Sequence, residues 1–321
     1  MTNIPLQRLS LYLMAFLSFT GSVWAEELET PAIPGVVAAH TRIELIKDGF
    51  TGTEGPIGLT DGSLLFTETN ANRITRIAAD NTVSTFLEHS NGANGLGFNR
   101  QGELIAVQTR DPQVGIIYPA NRKKVFATHF EGQNFQRPND LVIDRTGGIF
   151  FTDSGTRPTP ENPNPPPSTP GVYYITPTGQ LLRLAQDIAR PNGIQLSKDE
   201  KTLYVANTLG EALLAYDVTG TGTIANRRDF VKLKGFTQSD EGWSSGADGL
   251  AIDDAGRLYV ASNAGIEVFS PEGMALGVIS LPKKPQNLAF AGTERKTLYV
   301  VGRGAAYKIR LETPGIKGRL K

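Results

Sequence analysis

Six side chains with oxygen donors recur at comparable places along the 321-residue chain: Glu54, Asn94, Asn139, Asn192, Asp248 and Gln286, spaced 40, 45, 53, 56 and 38 residues apart. Each opens a unit made of a short apolar run, a polar turn and a second apolar run. The clearest copy is Asp248-Gly249-Leu250-Ala251-Ile252-Asp253-Asp254-Ala255-Gly256-Arg257-Leu258-Tyr259-Val260-Ala261-Ser262. Two carboxylates and four amides brought to one axis would suit a hard divalent cation. Ca²⁺ is preferred where ligands are numerous and geometry is loose, with Mg²⁺, Mn²⁺ or Zn²⁺ as alternatives. Zinc more often recruits His or Cys. The chain has no Cys, and His40, His89 and His129 fall outside the repeat starts. Any one Asn or Asp before a strand can be explained as a turn cap; six in equivalent places favour the cation.

The elements that must carry these donors follow from the same repeat. Leu250/Ile252 and Leu258/Val260 alternate with the period of two of half-buried strands, and Asp-Asp-Ala-Gly between them can reverse the chain, so the unit is a β-hairpin. A period of roughly 40–50 residues with several strands per repeat marks a β-propeller, whose blades stack radially around a channel. Six copies predict an all-β, six-bladed β-propeller. The first blade is expected at 57–59, 63–67, 73–77 and 82–87. The last repeat holds only three strands after its start, at 287–290, 297–301 and 305–311, so the alternating stretch 41–47 is expected to supply its fourth strand and close the ring. Strand alternation then puts all six repeat starts on one face. The Pro-rich insert 157–167 and the polar connection 235–247 join them there, with the loops holding Thr69, Asn70, Asn72, Arg110, Asp111, Asn207, Thr208, Asn263 and Arg303.

Composition bounds the partners. Thirty-two basic and 32 acidic residues balance, which gives no reason to expect nucleic acid or an anionic membrane surface. Gly 35 and Pro 20 suit an all-β chain full of turns. Residues 1–25 read as a signal peptide: Arg8 precedes an apolar run at 9–19, and Val23-Trp24-Ala25 places small residues for cleavage before Glu26. The run is shorter than the roughly 20 residues of a spanning helix. The expected organisation is therefore a leader at 1–25, a linker at 26–40, the propeller at 41–312 and a C-terminal tail at 313–321. The mature protein would be exported, periplasmic or secreted, with no membrane association after cleavage.

Several ordered motifs resemble the SMP-30/gluconolactonase/LRE-like family. Glu54-Gly55-Pro56 followed by Gly62-Ser63-Leu64-Leu65-Phe66-Thr67-Glu68-Thr69-Asn70-Ala71-Asn72-Arg73-Ile74 looks like its opening motif. Asn94-Gly95-Leu96, Arg137-Pro138-Asn139-Asp140, Phe151-Thr152-Asp153, Pro191-Asn192-Gly193 and Asp248-Gly249-Leu250 continue it in order. The resemblance implies one divalent cation held by Glu54, Asn139, Asn192 and Asp248. Asp248 would serve also as catalytic base. Arg137, Asn94 and Asn139 would face the substrate, and Asp140 would be a further channel group. It departs from the family in Ile57-Gly58, where an aromatic usually follows Glu-Gly-Pro, and in Ser154, where Phe-Thr-Asp-Pro would have proline. The activity implied is metal-dependent hydrolysis of a sugar lactone, a small-molecule substrate. The same site could instead act on another lactone or a phosphotriester, or Ca²⁺ could merely pin the blades of a non-enzymatic binding propeller.

Overall fold

The computed structural model describes residues 1, 28–156, 163–165, 168–240 and 242–318. Six four-stranded antiparallel sheets surround one axis. Their innermost strands are Thr53–Gly58, Ala93–Phe98, Pro138–Ile143, Pro191–Leu196, Leu250–Ile252 and Asn287–Ala291. Neighbouring inner strands contact one another all the way round, so the ring is closed. Blades are counted from one to six in that order, and strands within a blade from the axis outward.

The closing strand is where alternation placed it. Ile43–Lys47 pairs antiparallel with Ala305–Arg310, with Ile43 opposite Ile309 and Leu45 opposite Tyr307. The last blade is thereby completed by a strand from the other end of the chain, which ties the two ends of the ring together.

The core consists of six apolar clusters, one in each gap between blades. Leu64 and Phe66 pack toward blade six, with Ala289, Tyr299 and Val301. Leu65 between them packs toward blade two, with Leu96, Leu104 and Ala106. Phe151 likewise faces blade two while Phe150 faces blade four. A second strand is thus buried on both faces, which is why these strands read as continuous apolar runs instead of alternating ones.

Two segments beyond the repeat pack tightly. Residues 28–40, expected from composition as a linker, place Ile33, Val36 and Val37 in the apolar gap between blades five and six. Behind them the C-terminal segment buries Ile316, and the Gly315 N–H donates to the carbonyl of Arg295. Both cover the face of the ring that carries the tight turns between first and second strands. Two small hairpins not foreseen from the repeat, His129–Phe130 with Gln133–Asn134 and Thr237–Ser239 with Gly242–Ser244, rise on the other face. The Pro-rich insert joins Asp153 to Gly171 on that face too; its residues 157–162, 166 and 167 lie outside the described residues, as does the leader. Among the described residues no helix is long and apolar enough to cross a membrane.

If the closing strand holds the ring, Ile43→Ala should lower the unfolding free energy by about 2–5 kcal/mol, the usual range for emptying a core isoleucine site. Chemical denaturation checks this; a loss under about 1 kcal/mol would mean that the strand is a dispensable strap.

Candidate functional site

Backbone irregularity at the start of the inner strands aims the donors. In blades one to four the pairing of first and second strands slips by one residue, between Glu54 and Ile57, Ala93 and Leu96, Pro138 and Leu141, and Pro191 and Ile194. A bulge turns side chains out of the ladder's alternation. Here it does so at Glu54, Asn94, Asn139 and Asn192. The next residue sits where the backbones of adjacent blades nearly touch. A Cβ on Gly55 would lie 1.8 Å from the carbonyl oxygen of Asn94, and one on Gly193 2.0 Å from that of Asp248. Only glycine fits.

Hydroxyls at the ends of the second strands of blades one, three and four tie a donor's backbone to the neighbouring blade. Thr67 Oγ1 donates to the carbonyl of Asn94 and Thr152 Oγ1 to that of Asn192 (2.6 Å). Thr69, Ser154 and Thr208 donate to the carbonyls of Ala93, Pro191 and Ala247, each one residue before a donor. The residue between these hydroxyls holds the entry loop of its own blade. Asp153 accepts from the backbone N–H groups of Gln136 and Arg137, and Glu68 accepts from that of Thr51. Thr-Glu-Thr and Thr-Asp-Ser are therefore positioning motifs.

Four donor oxygens have no partner. Oδ1 of Asn94, Asn139, Asn192 and Asp248 are each shielded from solvent and accept no hydrogen bond. Asn192 shows how such an oxygen is presented: its Nδ2 donates to Thr208 Oγ1 at 3.0 Å, which turns the carbonyl the other way. A buried acceptor without a donor costs about 1–3 kcal/mol, so four together call for a bound group. Glu54, also buried, accepts from Gln286 Nε2 and Asn287 Nδ2, both at 3.3 Å.

Gln286 departs from the expected ring of six oxygens. Its Oε1 accepts the N–H of Arg303 at 2.7 Å and its amide nitrogen faces Glu54, so at blade six the chain orients a carboxylate instead of adding a donor. Among the described residues no three His, Cys, Asp or Glu side chains are grouped to hold a metal. The donor set is two carboxylates with three amides, all oxygen, and it fits a hard divalent cation. The three histidines are exposed and take no part.

Electrostatics point the same way. Burial pushes the Glu54 carboxyl up to about 7, with the Asp140 carboxylate adding to the rise and the Asn287 bond and the Arg137 charge opposing it. Asp248 is held well above the usual carboxylate range, first by burial and then by Glu54, with Lys284 and Arg137 working against the rise. Asp140 is fully buried; its Oδ1 accepts the N–H of Leu141 and its Oδ2 that of Ile194 in the next blade. Lys284 was missed from the repeat starts, yet its signal was legible. Lys284-Pro285-Gln286 repeats the basic-Pro-amide order of Arg137-Pro138-Asn139 and Arg190-Pro191-Asn192.

Above these groups opens a cavity of about 660 Å³, lined by Glu54, Asn94, Arg137, Gln286 and Arg303 with threonines and an asparagine of the loops. Asn139, Asn192 and Asp248 do not line it. Its size suits a small molecule. Another cleft, of about 610 Å³ and lined by His89, Arg110 and Lys124, lies between outer strands and touches none of the unpartnered oxygens.

The model of the SMP-30/gluconolactonase/LRE-like region matches residues 52–303. A gluconolactonase of Zymomonas mobilis is 28% identical over 89% of this chain and 86% of its own. A diisopropyl-fluorophosphatase of Loligo vulgaris is 27% identical, covering 84% and 90%. Among solved structures, a gluconolactonase of Xanthomonas campestris superposes with a TM-score of 0.75 at 25% identity, over 89% of this chain and 94% of its own.

The raised Glu54 carboxyl has a consequence for cation-free protein. An unfolded glutamate releases its proton near 4.5 but the folded one near 7, so the native state binds more protons in that window and stability falls as pH rises through it. Denaturation in EDTA should show this decline between pH 4.5 and 7, and Glu54→Gln should make it shallower, leaving the part that Asp248 contributes. An unchanged slope in the variant would remove Glu54 as the titrating group.

Proposed function

Because the chain belongs to the SMP-30/gluconolactonase/LRE-like family, we propose that it is a metal-dependent hydrolase of a sugar lactone. The observation that carries this reading is the set of four shielded, unpartnered oxygens, one of them on Asp248, beside the buried carboxylate of Glu54, with burial opposing the ionisation of both acids. Glu54, Asn139, Asn192 and Asp248 would hold the ion, Ca²⁺ by preference for an all-oxygen set that includes neutral amides. Asn94 offers a fifth oxygen and also lines the cavity.

Bound there, the cation would supply Lewis acidity toward the lactone carbonyl. The chain's own groups do the rest. Asp248 accepts a proton from water as the water oxygen bonds to the carbonyl carbon. The ring C–O bond then breaks, the ring oxygen takes up a proton, and a hydroxy acid leaves. Arg137, on the cavity wall, orients the substrate. Its backbone is fixed by the 2.8 Å bond from its N–H to Asp153 Oδ1.

Hydrolysis of gluconolactone followed by pH-stat tests the reading. EDTA should abolish it and Ca²⁺ should restore it. Asp248→Asn, which retains an oxygen donor but not a base, should lower kcat by about 10²-fold or more. Activity indifferent to both treatments would sink the mechanism. The squid relative makes a phosphotriester the second reading, and diisopropyl fluorophosphate assayed in parallel decides between them.

Export belongs to the same proposal and rests on residues 1–25 alone. N-terminal sequencing of the mature protein should begin at Glu26; a retained Met1 would remove it.

A further inference from the structure

Arg137 and Arg303 line the same cavity from blades three and six, which stand opposite each other across a six-bladed ring. Between them the lining passes through blades one and two, by way of Glu54, Thr69, Asn94 and Thr109. The cavity thus spans half the ring and has a guanidinium at each end.

Both arginines are anchored by their backbones and not by their side chains. The Arg137 N–H donates to Asp153, and its carbonyl accepts from the Ser154 N–H. The Arg303 N–H donates to Gln286 Oε1, and its carbonyl accepts from Lys283 Nζ. No described side chain hydrogen-bonds or ion-pairs with either guanidinium at contact distance. Nearby cations are matched differently. Lys283 places Nζ 2.6 Å from both oxygens of Asp48, and Arg110 donates to the carbonyl of Asn70. Glu54 is the one carboxylate on the cavity wall, and it is already committed to Gln286, Asn287 and the ring of donors. Two arginines that line a polar cavity with their guanidinium forks unspent are the arrangement that recognises a carboxylate or phosphate.

We propose that the substrate carries an anionic group away from its lactone carbonyl, a carboxylate or a phosphate, and that Arg303 receives it, at the end of the cavity opposite Arg137. This rests on the lactonase reading but narrows it: the substrate class is an acid-bearing sugar lactone, not a neutral aldonolactone. Arg303 becomes the specificity determinant, since Arg137 also acts on the charges of the donor ring. The reaction that supplies the substrate would then have oxidised or phosphorylated a sugar at a second position.

The test compares kcat/KM for gluconolactone, glucarolactone and phosphogluconolactone. One of the two anionic lactones should exceed the neutral one by about tenfold or more, as expected for one charge-assisted contact, and which one does so distinguishes carboxylate from phosphate. Arg303→Gln should collapse that ratio toward unity, while Arg303→Lys should restore part of it. Equal values for all three lactones, or a ratio indifferent to Arg303→Gln, overturns the proposal. Binding of methyl glucuronide against methyl glucoside, measured by calorimetry, needs no turnover and so separates the two readings. Selective, Arg303-dependent binding of the glucuronide with no lactone hydrolysed would support the anion site and defeat the lactonase reading alone. No preference for the glucuronide, together with neither anionic lactone favoured over a gluconolactone that is hydrolysed, would defeat the anion site alone.

Discussion

Six sheets that share one axis must crowd where their inner strands begin, and most of the site follows from that crowding. At Gly55 and Gly193 the neighbouring blade's backbone leaves no space for a Cβ. The chain answers with a glycine after the donor and a bulge at it, so the donor leaves the ladder and points away from its own sheet. The hydroxyls of Thr67, Thr152 and Thr208 then hold the backbone at Asn94, at Asn192 and next to Asp248 from the preceding blade. Those three donors are thus positioned by two sheets at once, and such over-determination is what a preorganised site requires.

Charge sets the second constraint. Burial raises the cost of ionising Glu54 and Asp248, and the Asp140 carboxylate adds to it at both, as Glu54 does at Asp248. Asp140 spends its oxygens on the N–H groups of Leu141 and Ile194 and so serves the contact between blades three and four. Glu54 and Asp248 are left for a ligand, with Arg137 and Lys284 moderating them until one binds. Two carboxylates balance a divalent charge, and the amides of Asn94, Asn139 and Asn192 add ligands without adding repulsion. A sixth donor from Gln286 is not offered, because its amide nitrogen serves Glu54.

The ring was legible because its constraints repeat. Donor-Gly dipeptides, Thr-Glu-Thr and Thr-Asp-Ser, and runs such as Leu64-Leu65-Phe66 each answer one local demand that returns every blade. Closure by 41–47 was legible for the same reason: a blade short of one strand has an edge to cover. What was not legible depends on single contacts. Nothing in the type or spacing of Gln286 says that Arg303 will claim its oxygen. Residues 28–40 read as a linker because Pro and Gly surround Ile33, Val36 and Val37, and three apolar residues have no period; only the groove between blades five and six gives them a place.

The same contrast separates the ion from the substrate. The proposed cation ligands come from equivalent strand starts, so a periodic search finds them. The cavity draws its wall from the entry loops of blades one and three, the second-strand ends of blades one and two, and the turn after Gly302 in blade six. Its two guanidinium groups are 166 residues apart, from 137 to 303, and occupy different places in their repeats, one before a first strand and one after a second. No motif spans them, since no local backbone rule requires them. Loops positioned by a fixed scaffold vary in this way, so the conformity of the donor ring to its repeat bears on the proposed ion alone, and the shape and charge of the proposed substrate fall to Arg137, Arg303 and the residues between them.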